Sequence, residues 1–421
     1  MAAPVPQGES IMCAAPAQST TAGRRPVGEI FLVALRLGLT SFGGPIAHLG
    51  YFRDEYVNRR KWLDDRSYAD LVALCQFTPG AASSKVGIGI GLAMGGLPGA
   101  VAAWLAFTLP SAIALVLFAY GVTAYSEFLD SGFLHGLKVV AVAVVAYAVW
   151  GMAQNLTPDA PRVTLAVAAA LIFTAWPTSL GQITAIVAGG LAGLVIGRGQ
   201  QDSGHVPMHP GIGRTGSGIA LALFFALLIG LPALAALYPS HALALFDSFY
   251  RSGSLVFGGG HVVLPLLQSE VVPSGWTSND TFLAGYGAAQ AVPGPLFTFA
   301  GYLGAAMTPQ PNGWLGALIC LVAIFLPSFL ITVGALPFWE DLRRMRGIRS
   351  ALIGVNAAVV GLLLAALYDP VWTSAIRSPA DFGLAITAFI LLAFWKVPPW
   401  LVVLLTAAGG WALAALPPML G

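Results

Sequence analysis

Two stretches of this chain answer each other, and both break apolar sequence with glycine and proline. The first runs from Arg36 through Phe42-Gly43-Gly44-Pro45 to Gln76-Phe77-Thr78-Pro79-Gly80. The second runs from Arg251 through Phe257-Gly258-Gly259-Gly260 to Gln290-Ala291-Val292-Pro293-Gly294. Glu55 and Trp62 in the first match Glu270 and Trp276 in the second, and Pro110-Ser111 matches Pro327-Ser328. The chain is therefore a duplicated unit in which each copy interrupts its own helices. That constrains it severely, because an exposed backbone N–H or C=O in hydrocarbon costs several kcal/mol.

Hydrocarbon is the solvent that the composition indicates. Only 9% of the 421 residues are charged and mean hydropathy is +0.79, whereas a soluble domain is about 25% charged. Apolar runs near the ~20 residues needed to cross a bilayer recur from end to end. The fold class read from this is an all-α polytopic membrane protein of two homologous halves with broken helices, having roughly 10–14 membrane segments. A net charge of +2 is too small to suggest nucleic acid. The cysteines, Cys13, Cys75 and Cys320, are far apart and show neither a metal spacing nor a disulfide framework.

The organisation follows. Residues 1–27 read as a polar, disordered tail, residues 28–197 as the first repeat, residues 198–216 as a polar connector and residues 217–421 as the second repeat. In the connector, Pro207 and Pro210 spoil a helical pairing of His205 with His209. Ile219 to Tyr238 is apolar and has no partner in the first half. The basic loop of Arg53, Arg59, Arg60, Lys61 and Arg66 corresponds to residues 268–280, which hold no Lys or Arg. Conversely, Arg343, Arg344, Arg346 and Arg349 answer to a stretch near Glu127 and Asp130. Basic loops stay cytoplasmic, so inverted repeats are expected and parallel repeats are the alternative. A simple count of segments does not place both basic loops on one side, so some segment must enter and return.

The breaks are the candidate site. Glycine lets backbone approach a ligand, and a helix restarting after Pro-Gly points free N–H groups and its positive dipole end at whatever lies there. Gly43, Gly44, Gly80, Gly258, Gly259 and Gly294 are accordingly expected to border an anion, although close helix packing would use small residues too. Arg36 and Arg251 sit at equivalent places in apolar segments, where charge is rare and usually functional. Their planar forks suit oxyanions, and snorkelling to headgroups is the alternative. Lys85, Gln76 and Gln290 flank the Pro-Gly breaks as further substrate ligands. His48, His261, Glu55 and Glu270 are the candidates for carrying a coupled proton. No HExxH, P-loop or GxSxG motif is present, so no enzyme, metal or cofactor is expected.

The duplicated Phe-Gly-Gly and Gln-x-x-Pro-Gly motifs resemble those of the chromate transporter family in its long-chain, two-domain form, over about residues 28 to 416. The resemblance implies a multi-pass protein of a bacterial inner membrane, in contact with the lipid bilayer and open to homo-oligomerisation. It implies export of chromate from the cytoplasm, driven by membrane potential or proton motive force, with chromate resistance as the outcome. A permease for sulfate or another oxyanion is the alternative. A non-transporting scaffold or sensor is the alternative of another class, but it would have no use for duplicated arginines.

Overall fold

A computed structural model of the chain describes residues 24–124, 131–196, 213–257, 259–339 and 345–415. Among these residues the regular structure is all helical. The first repeat contains α1 (Val27–Thr40), α2 (Gly44–Phe52), α3 (Asp65–Phe77), α4 (Ala82–Ala124), α5 (Ser131–Leu156), α6 (Ala160–Ala175) and α7 (Ser179–Ile196). A helix without a counterpart follows, α8 (Arg214–Leu237), which begins inside the stretch read as connector. The second repeat contains α9 (His241–Ser254), α10 (Val263–Val271), α11 (Asn279–Ala289), α12 (Phe299–Ala306), α13 (Gly313–Ala335), α14 (Arg346–Ala366), α15 (Pro379–Ala393) and α16 (Pro399–Ala415).

Several of these helices are too short to cross a bilayer and instead fold back on themselves. The 13 residues of α3 reach about 20 Å at 1.5 Å per residue, against ~30 Å of hydrocarbon. The chain then turns at Thr78-Pro79-Gly80. A Cβ on Gly89, as far past the turn as Leu71 is before it, would lie 2.6 Å from the Leu71 side chain. So α3 and the start of α4 form a helical hairpin with the Pro-Gly break at its tip. In the second repeat α11 and α12 do the same: Tyr302 packs on Gly285, and its hydroxyl donates to Thr281 O at 3.0 Å.

The Phe-Gly-Gly breaks are also hairpin tips. Glu29, early in α1, pairs with Arg60, beyond the end of α2, at 3.4 Å. The chain therefore enters along α1 and returns along α2 and the π-helical turn Arg53–Arg59. In the second repeat Arg251 on α9 pairs with Glu270 on α10 at 2.8 Å. At the mouth of the first pair of hairpins, Arg25 N donates to Met94 O at 2.8 Å. At the mouth of the second pair, Thr308 N donates to Trp276 O at 3.1 Å, and His241 meets the Trp276 ring edge-on at 4.9 Å.

Gly96, at φ 65° and ψ −159°, breaks α4 into two arms, which matches the separation of α12 from α13. The longer arm of α4 and α13 are equivalent helices, and they lie against each other antiparallel. Tyr120, late in α4, accepts from Trp314 N at the start of α13 (3.2 Å), while Trp104, earlier in α4, meets Phe325, later in α13, at 5.7 Å. The repeats are thus inverted with respect to one another. The unmatched α8 supplies the odd crossing that turns the second copy over, and the hairpins are the segments that enter and return.

The repeats also exchange helices. α5 of the first packs on α15 and α16 of the second, and α14 of the second packs on α6 and α7 of the first. Glycine permits the contacts: a Cβ on Gly136 would lie 2.5 Å from Thr406 O, and one on Gly189 would lie 2.8 Å from Gly354 O. Five described helices are long and apolar enough to cross a membrane: α4, α5, α8, α13 and α14, the last with the turn that follows it. The exterior is correspondingly apolar, with Ile229 and Leu237 of α8 each 73% exposed. Lys85, Asp70 and Lys138 are buried inside.

Inversion makes a sided prediction. Single cysteines at Asn58 and at Ser274, both exposed, should react with an impermeant maleimide from opposite faces of the membrane. Reaction of both from one face would contradict the antiparallel arrangement.

Candidate functional site: the meeting of the hairpin tips

Each Pro-Gly tip docks on the glycine break of the other repeat. Gly80 N donates to Val256 O, and Gly294 N donates to Ser41 O, both at 2.8 Å. Ser41 and Val256 occupy equivalent positions, as do Gly80 and Gly294, so one bond is the symmetry mate of the other. Each tip also abuts a serine on the long helix of the other repeat. Ala81 N donates to Ser328 Oγ at 2.9 Å, and a Cβ on Gly80 would lie 2.5 Å from that same oxygen. A Cβ on Gly294 would lie 2.9 Å from Ser111 Oγ. Both glycines have positive φ, 106° and 95°, so a side chain is opposed by backbone torsion as well as by space.

The two glycine breaks face each other. Gly43 and Gly44 both have positive φ, 97° and 76°. Gly44 stands opposite His261, whose Nε2 would be 3.9 Å from a Cβ there, and Pro45 packs against Gly260. His261 Nδ1 is 2.7 Å from the Tyr286 hydroxyl. On the first-repeat side, His48 Nδ1 is 3.2 Å from Ser83 Oγ and its ring lies edge-on to Phe107 at 5.4 Å. The breaks of both repeats therefore surround one buried, polar centre.

The family of the chain follows from its sequence over the same two units. It matches the chromate transporter family over residues 28–194 and again over residues 243–411. The chain belongs to the chromate transporter family. Members of this family are membrane transporters and not enzymes, and this member is a multi-pass membrane protein. It is similar to the chromate transport protein of Pseudomonas aeruginosa, 27% identical over 91% of each chain. It is similar also to that of Cupriavidus metallidurans, 25% identical over 90% of each. An uncharacterised transporter of Bacillus subtilis is 34% identical over 28% of this chain and 66% of its own. No solved structure matches the chain.

Within this chromate transporter family member the two arginines do not share a site. Arg36 is exposed on α1. Arg251 donates to Asp247 and Glu270, both at 2.8 Å, and Ser248 Oγ donates to Glu270 at 3.0 Å. Asp247 lies one turn before Arg251, whereas the matching position before Arg36 is Leu32, so only the second-repeat arginine has a carboxylate one turn away on its own helix. Arg251 and Glu270 line a cavity of about 10 Å³ with Gln182 and Ser252, room for one water and too little for a tetrahedral oxyanion.

Glu55, the match of Glu270, is held by Arg60 at 2.7 Å and Arg59 at 3.1 Å. Burial would raise its carboxyl, but the bonds from Arg60 and Arg59 and their charge outweigh burial and keep it below the usual range. Glu55 and Glu270 are thus both engaged in ion pairs away from the tips.

Lys85 is fully buried at the first tip. Its Nζ donates to Thr78 O, to Thr78 Oγ1 at 3.0 Å and to Pro79 O at 2.9 Å, binding the carbonyls freed by the break. Gln76 is exposed, and Gln290 Nε2 reaches back to Tyr286 O at 3.4 Å. Gly259 is half-buried beside Met152. Gly258 lies outside the described residues.

Sequence reasoning passed over the serines. Pro110-Ser111 and Pro327-Ser328 belong to the duplicated pattern, and that duplication was the available signal for their place beside the tips. It also passed over the charges joining the repeats: Lys138 on α5 to Asp280 on α11 at 3.0 Å, and His135 to Asp381 at 2.8 Å. Nothing in the sequence pairs those residues.

Two mutational outcomes follow. Arg251→Gln removes the guanidinium that bridges Asp247 and Glu270 and should destabilise the purified protein by roughly 3–5 kcal/mol. Arg36→Gln should change stability by no more than about 0.5 kcal/mol. Gly80→Ala and Gly294→Ala should each cost about 1–3 kcal/mol from positive φ, with steric conflict in addition. Denaturation in detergent measures all four.

Proposed function

We propose that the protein exports chromate from the cytoplasm of a bacterium across the inner membrane, by alternating access to a site between the hairpin tips. The observation that carries this reading is the reciprocal docking of two broken hairpins from inverted repeats on one buried polar centre. Irregular backbone at membrane depth survives only where protein or a water-lined cavity satisfies it. Broken helices at a repeat interface are how secondary transporters build midplane sites. Gly80 N and Ala81 N are spent on docking, and the N–H groups of the helical turn that follows, at the positive end of its dipole, favour an anion. Two similar relatives bear the name chromate transport protein.

Inversion gives each tip its own side. The first repeat's hairpins open toward the end carrying Arg53, Arg59, Arg60 and Arg66. By the count of crossings, Arg346 and Arg349 at the start of α14 lie at that same end. The positive-inside rule makes it cytoplasmic. The second repeat's hairpins open toward the other face. Withdrawing one tip breaks one set of docking bonds and leaves the equivalent set intact, which is the requirement for access from one side at a time.

The direction follows from charge. A potential of 100 mV is worth about 2.3 kcal/mol per elementary charge. A dianion leaving a negative-inside cell thus gains about 4.6 kcal/mol, a gradient on the order of a thousandfold. Sulfate, a tetrahedral dianion with the same acceptor pattern, should compete.

Proteoliposomes provide the test. Radiolabelled chromate should move through the reconstituted protein, faster when the potential drives the dianion, and excess sulfate should slow it. Absence of chromate flux from well-folded protein, with sulfate flux retained, would make it a sulfate permease. Absence of both would overturn the transport reading for these ions.

A further inference from the structure

The two repeats have the same backbone plan at the centre but not the same chemistry. Around the first tip four buried side-chain atoms have no hydrogen-bond partner among the described residues: Ser41 Oγ, His48 Nε2, Ser84 Oγ and Thr108 Oγ1. The residues are 0%, 1%, 2% and 4% exposed. They belong to one neighbourhood. Ser41 carries the carbonyl on which the Gly294 tip docks. His48 contacts Ser83, the residue before Ser84, and Phe107, the residue before Thr108. Ser111, against Gly294, donates to Thr108 O at 3.1 Å.

At the matching places the second repeat has Val256 for Ser41, Val263 for His48, Thr298 for Ser84 and Phe325 for Thr108. Thr298, the polar one, spends its hydroxyl on Pro295 O at 2.8 Å. The second repeat therefore shows that the fold accepts apolar or self-satisfied side chains here. A buried polar atom left unpaired is costly, and these three hydroxyls and one ring nitrogen call for a partner from outside the chain.

Charge points the same way. Lys85, 0% exposed, follows Ser84 and is replaced by Phe299 in the second repeat. Its three acceptors are two backbone carbonyls and a hydroxyl, and among the described residues no carboxylate lies within ion-pair distance. The tip thus holds a buried lysine without an anionic partner, next to hydroxyls without acceptors.

We propose that the first repeat alone supplies the anion site: a tetrahedral oxyanion accepts hydrogen bonds from the hydroxyls of Ser41, Ser84 and Thr108 and from His48 Nε2–H, with Lys85 as its counter-charge. His48 donates from Nε2 in the tautomer whose Nδ1 accepts from Ser83. The second repeat contributes the Gly294 tip that closes the site and no charge. The ion consequently sits to one side of the pseudo-twofold axis, and neither Arg36 nor Arg251 touches it. This inference rests on reading the tips as the transport site.

The test is equilibrium binding of radiolabelled chromate and sulfate to the full chain in detergent, with flux in proteoliposomes and a melting temperature for every variant. Ser41→Ala and Thr108→Val should each weaken binding of both ions about tenfold or more at near-wild-type melting temperature. Lys85→Gln should abolish binding, and Lys85→Arg should restore it to within a few-fold, a rescue that a purely structural lysine would not show. Thr298→Val, the second-repeat control, should bind as wild type. If wild type binds and transports while Ser41→Ala and Thr108→Val match its affinity, the one-sided site is wrong and the transport reading stands. If wild type neither binds nor carries either ion, both fall.

Discussion

The backbone bonds Gly80 N to Val256 O and Gly294 N to Ser41 O organise the rest of the molecule. A helix broken in an apolar interior frees polar groups that water would satisfy and lipid does not. Here each break is satisfied by the break of the other repeat. That solution needs the repeats to face each other, needs glycine at the contact, and needs a small polar residue on the long helix behind it. Ser328 and Ser111 meet the last requirement. Lys85 takes the carbonyls that remain on the first side. The second side ends in Pro295 and a 3₁₀ turn, Leu296–Thr298, whose hydroxyl returns to Pro295 O. One lipid-imposed constraint is thus met by a cation in one copy and by a local hydroxyl in the other.

Much of this was legible in the chain. The duplication, the breaks, the helical class and the absence of a partner for Ile219 to Tyr238 all follow from residue patterns. Inversion was also in the basic loops, but the count of crossings could not be closed. Periodicity does not distinguish a helix that crosses from one that turns back at Pro-Gly, and the hairpins became apparent only from contacts such as Leu71 with Gly89. The sequence parts into two apolar segments at Gly96, but a residue pattern does not show that the chain reverses there.

The arginines show where pattern alone goes astray. Equivalence after duplication suggested a shared role, yet Arg251 is neutralised by Asp247 and Glu270 while Arg36 is exposed. The decisive difference is one residue, Leu32 against Asp247, and it was readable at i−4. The polar group at the first tip was harder to see. Ser41, Ser84 and Thr108 are ordinary residues in a membrane helix, where hydroxyls commonly satisfy themselves on their own backbone. Only burial and the missing partner set them apart.

The exchange of helices bears on how such a chain is made. α6 and α7 leave the ribosome long before α14, on which they pack, and α5 waits longer still for α15 and α16. The first repeat therefore enters the membrane without its principal neighbours and stays open until the second arrives. Its insertion has to be correct before its packing can check it. α8 then decides the orientation of everything that follows. Losing that one crossing would leave the second repeat hydrophobic, helical and facing the wrong way, with α14 at the far end from α7 and no tip opposite Ser41. A membrane quality-control system would meet a fully inserted chain whose two halves cannot close.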